Sequence, residues 1–338
     1  MKDSKMIRYA GRIAAGAYYD FQEIRKATMN RVRDLIRKKR EGIPFDEVES
    51  KKEDKRFNSE YADDKLIYRL EDIRHLLTEK EYDYLKHTLL AAQEMKKLEL
   101  VYKNMMQGYV ETEVIYQRFL RHIKGISAVL SANLIKEFGY CEKYKHSSSL
   151  WRACGLDVED GEAPKRVRGK KTTYNPRLRT MAWKIADSFR KQRTPVYRDI
   201  YDVEKEEQLR RMENSRCKYC GKRTVDHYKK PNSREYYCTK EMKQQVTLKD
   251  FTIAGKNIAP GATPPWTPLH AELRAMRKAV KIFLEHYWVA SRELTGQPTE
   301  SPWIIEHGHH SDYIHWSEAV EKNIKAKEDK ILKNKPKK

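Results

Sequence analysis

Apolar residues recur at helical spacing along much of the chain, and this pattern predicts a protein built mainly from α-helices. From Ser4 to Arg40 they return every three or four positions, which predicts one long helix. Two more helical stretches are predicted, from Asp63 to Leu77 and from Glu79 to His122. Helices of this length usually pair, so the pattern fits a helical hairpin within one chain and a dimer equally well.

The helical pattern is interrupted at several points. Residues 40–60 contain Gly42, Pro44 and mixed charges, so we expect a loop there. Residues 210–250 are rich in Lys, Tyr and Cys and poor in aliphatic side chains. Thr267 and Pro268 then open a strong amphipathic helix as its N-cap and first residue, and we expect this helix to pack back on the preceding ones. We expect the basic C-terminal residues to be mobile.

The net charge of the chain indicates which kind of molecule it binds. The chain has 338 residues with 70 Lys and Arg against 49 Asp and Glu, a formal net charge of +21. Such an excess favours an acidic partner, and nucleic acid is the commonest one. No run of 18 apolar residues exists, and Arg12 breaks the apolar start, so we expect neither a membrane span nor a signal peptide. The odd count of five cysteines then favours a reducing cytoplasm, with nucleoid association if the protein is cellular.

The stretch "IKGISAVLSANLIKEFG", from Ile123 to Gly139, has the pattern of a helix-hairpin-helix. Gly125, Ile126 and Ser127 form the predicted turn, and a helix with small residues follows it. Backbone N–H groups at the start of a helix suit a phosphate oxygen, and such contacts position a protein on a duplex without reading its sequence. The alternative is an ordinary helical hairpin in which the glycine only makes the turn.

A basic stretch follows between Ala163 and Arg179, where no acidic residue interrupts the cations. Its basic residues are Lys165, Arg166, Arg168, Lys170, Lys171, Arg177 and Arg179. The composition fits a solvated charge run, a clamp for a polyanion or part of a catalytic centre. We favour the clamp, with Gly125, Ile126 and Ser127 as neighbouring contacts to the nucleic acid.

Residues 118–200 resemble the C-terminal transposase domain of the IS116/IS110/IS902 insertion-sequence transposases. The order and spacing of the matching residues carry the resemblance. They are Gly125, Ala132, Leu134, Gly139, Tyr144, Leu150, Cys154-Gly155-Leu156, Arg168-Gly169, Asn175-Pro176 and Leu178-Arg179. The resemblance implies action on DNA, and it admits RNA as a partner because related transposases use a guide RNA.

The chain departs from that family in its catalytic residues. The family joins an N-terminal RuvC-like domain, which has four acidic metal ligands, to a serine nucleophile in the C-terminal domain. Here no apolar strand ending in Asp is evident in the first 120 residues, so we expect no RuvC-like nuclease domain. No serine lies between Leu156 and Lys171, and Thr172 and Thr173 are the nearest hydroxyls. The catalytic residues therefore stay unassigned.

Three cysteines cluster with one histidine in a pattern typical of a structural zinc site. Cys217 and Cys220 are two residues apart and precede a glycine, and His227 and Cys238 follow. Two thiolates at this spacing can converge on one ion, and a small segment with few aliphatic residues needs such an ion to fold. For the fourth ligand, His227 is the nearest candidate, with Glu241, His270 and His286 as alternatives.

Two weaker sequence features are better explained by local structure than by metal binding or catalysis. The residues His307, His309, His310, Asp312 and His315 could form a second metal site, but a polar loop with neutral histidines is favoured. The run "HSSS" at 146–149 is better explained as the N-cap of a helix at Leu150 than as a nucleophile.

Together these observations predict a mainly α protein that binds nucleic acid, with DNA the favoured partner and RNA the alternative. The predicted segments are a long-helix region (1–117), a helix-hairpin-helix domain (118–209), a small zinc-ribbon-like insert (210–250), and a C-terminal helix with a basic tail (251–338). We expect a homo-oligomer, a dimer or larger. An active recombinase working with a partner or guide RNA and an oligomeric protein that coats DNA are the alternative functions.

Overall fold

In the computed structural model, residues 2–42, 66–158, 163–164, 166–167, 169–231, 233, 235–239, 243–253, 256–257, 263–299 and 313–333 are described. The chain divides into two compact units, residues 1–110 and residues 111–338. Helices dominate both units, so the predicted mainly α class is confirmed. The four-segment division of the chain stays a prediction.

Two long helices form the first unit. Helix α1 is Lys2–Glu41 and helix α3 is Glu79–Glu111, with the short α2 (Leu66–Asp72) and a 3-10 turn (Arg74–Leu76) between them. Their shared core consists of Met29, Val32, Ile36, Leu70, Ile73, Tyr82, Leu85, Leu89 and Ala92. The long helices therefore pair within one chain, as the hairpin alternative predicted, while oligomerisation stays a prediction.

An ion pair and a close approach fix the pairing of α1 with α3. Arg25 donates two hydrogen bonds to the carboxylate of Glu99, and both side chains are about nine-tenths buried. A Cβ on Gly11 would stand 2.3 Å from the ring of Tyr109, so the helices meet where only a glycine fits. The apolar face of α1 therefore packs against α3 within the first unit.

Two predicted boundaries in this part of the chain are wrong. The stretch expected to be helical from Glu79 to His122 ends at Glu111, and a new helix, α4, begins at Val114. The reason is Glu113, which adopts an extended backbone and accepts a hydrogen bond from the Tyr140 hydroxyl at 2.8 Å. The stretch expected from Asp63 to Leu77 ends as α-helix at Asp72. The loop expected at 40–60 lies almost wholly outside the described residues.

The second unit is built around one helix. Its helices are α4 (Val114–Arg118), α5 (Ala128–Phe138), α6 (Ser147–Ala153), α7 (Pro176–Gln192), α8 (Tyr197–Glu213), α9 (Pro268–Glu293) and α10 (Trp316–Lys333). Helix α9 packs on α6, α7, α8 and α10, and every residue from Phe283 to Ser291 is buried. Helix α9 is therefore the central element, and the predicted return of this helix to the others is confirmed.

Aromatic rings fill the centre of this unit. Phe283 of α9 lies 5.2 Å from Phe189 and 5.5 Å from Tyr197, measured between ring centroids. The Tyr197 hydroxyl donates to Nδ1 of His286 at 2.8 Å, and Nε2 of His286 donates to the Ile314 carbonyl at 2.7 Å. Burial lowers the pKa of His286 to about 4, so this histidine is a neutral structural link.

Helix caps account for the observed start points. Thr267 accepts a hydrogen bond from the His270 N–H at 3.1 Å and Pro268 follows it, which confirms the predicted N-cap. The expectation for the "HSSS" run is wrong in detail, because His146 occupies the cap position without a side-chain cap bond and the three serines form the first turn of α6. Of the C-terminal residues expected to form a mobile basic tail, those from Lys322 to Lys333 are helical and Asn323 is buried, while residues 334–338 lie outside the described residues.

Short strands follow α8 and form two small antiparallel sheets. Strands β1 (Ser215–Cys217), β5 (Phe251–Ile253) and β6 (Lys256–Asn257) form one sheet in the order β1-β5-β6. Strands β2 (Tyr228–Lys229), β3 (Tyr236–Tyr237) and β4 (Gln245–Val246) form the other in the order β2-β3-β4. Strands of two or three residues cannot bury much apolar surface, so other interactions must hold this ribbon.

Among the described helices, none combines the length and the apolar character that crossing a bilayer requires.

Candidate functional site

The turn at Gly125 is held from several sides. Gly125 has a φ of +87°, which favours glycine, and a Cβ there would stand 2.6 Å from the Ser188 Oγ. The Ser188 hydroxyl donates to the Gly125 carbonyl at 2.7 Å. Thr194 Oγ1 donates to the Lys124 carbonyl at 2.8 Å, and the Lys124 N–H donates to Asn323 Oδ1 at 3.1 Å. The turn is therefore fixed against α7 and α10.

Helix α5 begins directly after this turn. Ser127 is its N-cap, and the Ser127 hydroxyl accepts a hydrogen bond from the Leu130 N–H at 3.4 Å. Ser127 is exposed, whereas Ile126 is buried and anchors the turn in the core. Gly139 ends the helix with a φ of +57°, as the sequence predicted. The exposed start of α5 thus sits on a rigid support, and its contact with a phosphate stays a prediction.

The base of the basic loop is folded inward. Gly155 has a φ of +63°, and a Cβ there would stand 2.6 Å from the ring of Tyr174. The guanidinium of Arg179 lies 4.7 Å from the centroid of the same ring and donates to the Pro164 carbonyl at 2.8 Å. The predicted contact residue Arg179 is therefore half-buried and partly engaged in holding the loop to α7.

The other cations of the loop fall into two groups. Arg166, Lys170, Lys171 and Arg177 are exposed, and none forms an ion pair with another described residue. Lys165 and Arg168 lie outside the described residues. The exposed cations are free to meet an anion from solution, and whether they bind nucleic acid stays a prediction.

The two threonines of the loop show no sign of activation. The Thr172 hydroxyl donates to the Tyr174 carbonyl at 2.9 Å and helps to shape the loop, while Thr173 is exposed. A nucleophilic hydroxyl needs a base that accepts its proton. The Thr172 proton is already directed at a backbone oxygen, so the recombinase alternative gains no nucleophile here.

The sequence-predicted metal ligands converge at one point of the ribbon. The ligand atoms of Cys217, Cys220, His227 and Cys238 all lie within 4.8 Å of one another and could hold a metal ion. The sulfurs of Cys217 and Cys238 are 3.8 Å apart, and Cys220 Sγ lies 3.4 Å from His227 Nε2. Burial and the two neighbouring thiols raise the pKa of Cys238 to about 12.

The geometry of this Cys3His cluster fits zinc. Tetrahedral zinc with Zn–S bonds of about 2.3 Å places its sulfur ligands about 3.8 Å apart. His227 Nδ1 donates to the Arg223 carbonyl at 2.7 Å, which leaves the lone pair of Nε2 directed at the cysteines. The apolar core around the cluster is small, consisting of Val246 and Phe251 with Tyr236 and Trp266 packed against them.

The alternative fourth ligands do not join this cluster. His286 is occupied inside the helical core, and His270 Nδ1 accepts a hydrogen bond from the Trp266 N–H at 3.3 Å. Glu241 lies outside the described residues. In the second histidine-rich stretch, His307, His309, His310 and Asp312 also lie outside them, and His315 contacts Ser317 and Glu293.

Helix α9 contributes charged residues that the sequence analysis overlooked. Arg277 and Lys281 lie one helical turn apart and are half-buried beside Trp151 and Asp157. Trp183 of α7 is also 52% exposed, an unusual state for a tryptophan. The signal was present in the sequence, because basic residues recur at helical spacing at positions 274, 277, 278 and 281.

Comparison with known proteins identifies one part of this unit. Residues 117–202 match the model of the Transposase IS116/IS110/IS902 family. No curated protein and no solved structure matches the chain. The matched residues run from the end of α4 through the turn at Gly125 and the basic loop to the first turns of α8, about a quarter of the chain. Residues 117–202 are therefore similar to the transposase domain of the IS116/IS110/IS902 family.

Proposed function

We propose that this chain binds the phosphate backbone of DNA as part of a transposase-related function. The observation that carries the proposal is the placement of Lys170, Lys171 and Arg177: they are exposed, unpaired with described residues, and lie inside the segment that matches the family. When unpaired surface cations contact phosphates, they displace the counterions condensed on the DNA, and the release of these counterions drives non-specific binding.

The turn at Gly125 adds a second contact in this proposal. Ser127 is exposed at the start of α5, where backbone N–H groups point away from the helix. The N-terminus of a helix favours a bound anion. The hydrogen bonds from Ser188 and Thr194 hold the turn that precedes the N-terminus of α5. The hairpin would therefore set the register of the protein on the duplex, while the loop supplies charge.

We propose further that Cys217, Cys220, His227 and Cys238 hold a structural zinc ion. The fit rests on the separation of the sulfurs and on the bond that orients His227. When bound, zinc would cross-link β1 and the segments that follow it, a role that a core of this size cannot fill alone. All four candidate ligands come from protein side chains, the closed arrangement of a structural site.

A salt titration tests the proposal. The full chain is mixed with a fluorescein-labelled DNA duplex, and the affinity is measured by anisotropy over a range of salt concentrations. About five phosphate contacts give a slope near −4.5 for log K against log salt. The variant Lys170→Gln/Lys171→Gln should reduce that slope by about 1.8.

The matched control is Lys97→Gln, which removes a cation paired with Glu94 at 2.6 Å in the first unit. It should leave the slope of the wild type unchanged. A flat titration for the wild type would contradict DNA-backbone binding. A labelled RNA duplex in a parallel titration separates RNA from DNA as the preferred partner.

A further inference from the structure

Most charged side chains of helix α9 have partners. Lys278 lies 2.7 Å from Glu204, and Glu272 lies 3.1 Å from Arg190 and 3.8 Å from Lys205. Arg277 and Lys281 differ: among the residues that the structure describes, neither side chain has an ion pair or a hydrogen bond. The charged side chains of α9 that face α7 and α8 are thus paired, whereas Arg277 and Lys281 are not paired with any described residue.

The surroundings of these two cations are partly closed. Lys281 Nζ lies 4.3 Å from the centroid of the Trp151 ring, and Trp151 Nε1 donates to the Lys281 carbonyl at 3.0 Å. The acidic residue close to both cations is Asp157, whose Oδ1 is buried and has no hydrogen-bond partner. Arg277, Lys281 and Asp157 thus lie in one half-buried region, called the cleft below, without an ion pair or a hydrogen bond between the cations and the carboxylate.

Burial and like charge both act against these cations. Burial and the neighbouring charge of Arg179 lower the pKa of Arg277, and Asp157 only partly offsets them. Burial and the charge of Arg277 lower the pKa of Lys281. Removing cations from water without pairing them is costly, and an anion that enters the cleft would offset that cost.

Arg179 links this cleft to the basic loop. Its guanidinium stacks on Tyr174 and donates to the Pro164 carbonyl, and its charge acts on Arg277. A ligand that spans the loop and the cleft must therefore carry several anionic groups along its length. A phosphodiester backbone has that chemistry, whereas a single free anion would occupy the cleft alone.

We propose that Arg277 and Lys281 form a phosphate subsite that holds one phosphodiester of the nucleic acid bound by the transposase domain. The inference rests on the proposed function and extends it beyond residues 117–202, to a helix that lies outside the family match. Arg277 would present its planar guanidinium to two phosphate oxygens, and Lys281 would add a point charge.

The test compares variants of the full chain in the anisotropy titration with the labelled DNA duplex. Arg277→Gln/Lys281→Gln should lower the magnitude of the salt slope by about 1.8, and Arg277→Lys should keep the wild-type slope. Lys278→Gln is the matched control, because Lys278 lies next to Arg277 but is paired with Glu204. It should leave the slope unchanged.

Each result has one meaning. If the wild type shows a steep slope and the double variant keeps it, the subsite is overturned while DNA binding stands. If the wild type shows no salt-dependent binding, the proposed function itself fails. If inorganic phosphate raises the Tm of the wild type but not that of the double variant, and the double variant retains the DNA slope, the cleft holds free phosphate and the proposal is overturned.

Thermal unfolding without nucleic acid separates binding from a structural role. Arg277→Gln/Lys281→Gln should leave the Tm close to that of the wild type, because the gain from removing two poorly solvated charges is opposed by the loss of positive charge beside Asp157. A large fall in Tm together with a fall in affinity would assign the two cations to the fold and would overturn the subsite. Lys281→Gln alone, with an expected change in slope of about 0.9, repeats the test with a smaller perturbation.

Discussion

The hydroxyl of Ser188 donates to the carbonyl of Gly125 at 2.7 Å. The Oγ atom of Ser188 would also lie 2.6 Å from any Cβ placed on that glycine. A residue of α7 thus both supports the turn and excludes a side chain from it. The turn is therefore defined by a contact between residues 63 positions apart, in addition to its own backbone preference.

We expect Gly125→Ala to destabilise the second unit by about 1–3 kcal/mol, since alanine tolerates neither the positive φ nor the contact with Ser188. Thermal unfolding measures this loss. Gly108→Ala is the matched control, because nothing lies within 4 Å of its Cβ position, and it should stabilise a helix by about 0.5–1 kcal/mol. Equal effects of the two substitutions would contradict the assigned role of Gly125.

We expect Cys238→Ser to abolish zinc binding, since the remaining three ligands no longer close a tetrahedral site. Atomic absorption of the purified protein should give one zinc per chain in the wild type and none in the variant. Chelation should also change the fluorescence of Trp266, which stacks on Tyr236 at 3.8 Å between ring centroids.

Cys154→Ala serves as the control for that experiment. Cys154 is buried in the helical part of the second unit, and burial raises the pKa of its thiol to about 12. This variant should keep the zinc content of the wild type. Full zinc content in Cys238→Ser would show that the cluster is not the metal site.

Glu285 should make stability depend on pH. Burial raises its pKa from 4.5 to about 7, with a partly opposing effect of Lys281, so the folded state holds a proton that the unfolded state releases. Its contribution to stability is therefore present below pH 4.5 and is lost as pH rises through 7. The variant Glu285→Gln has no carboxyl group at this position, so its stability does not fall in this way as pH rises.

The free energies of unfolding of Glu285→Gln and wild type should consequently diverge as pH rises from about 4.5 to 7. The variant should gain up to roughly 3 kcal/mol relative to the wild type. His286 titrates over the same range in both proteins, so its effect cancels in the difference. Urea denaturation at several pH values measures the gap, and a constant gap would contradict the raised pKa.

The buried ion pair in the first unit should show strong coupling. Arg25→Met leaves the carboxylate of Glu99 buried and unpaired, and we expect a loss of about 3–5 kcal/mol. Arg25→Met/Glu99→Leu should lose less than either single variant, since no charge remains. Lys97→Ala, which removes an exposed pair with Glu94, should change stability by less than about 0.5 kcal/mol. Additive losses in urea denaturation would refute the coupling.

The accuracy of the sequence predictions follows the range of the interactions involved. The N-cap at Thr267, the helix from Ser4 to Arg40 and the end of α5 at Gly139 depend on residues within one or two turns. The predicted helix through residues 112 and 113 failed because its end depends on Tyr140, 27 positions away. Local patterns contain no information about such partners.

The same distinction holds for the candidate sites. The sequence alone determined the residue types that could bind: three cysteines with a histidine, a glycine turn and a run of cations. Only the tertiary structure decided that His227 directs Nε2 at the thiols, that Arg179 folds inward, and that Arg277 and Lys281 form no ion pair with any described residue. The reason is physical: spacing along the chain sets which groups can meet, but packing between helices sets which charges are buried and which stay unpaired.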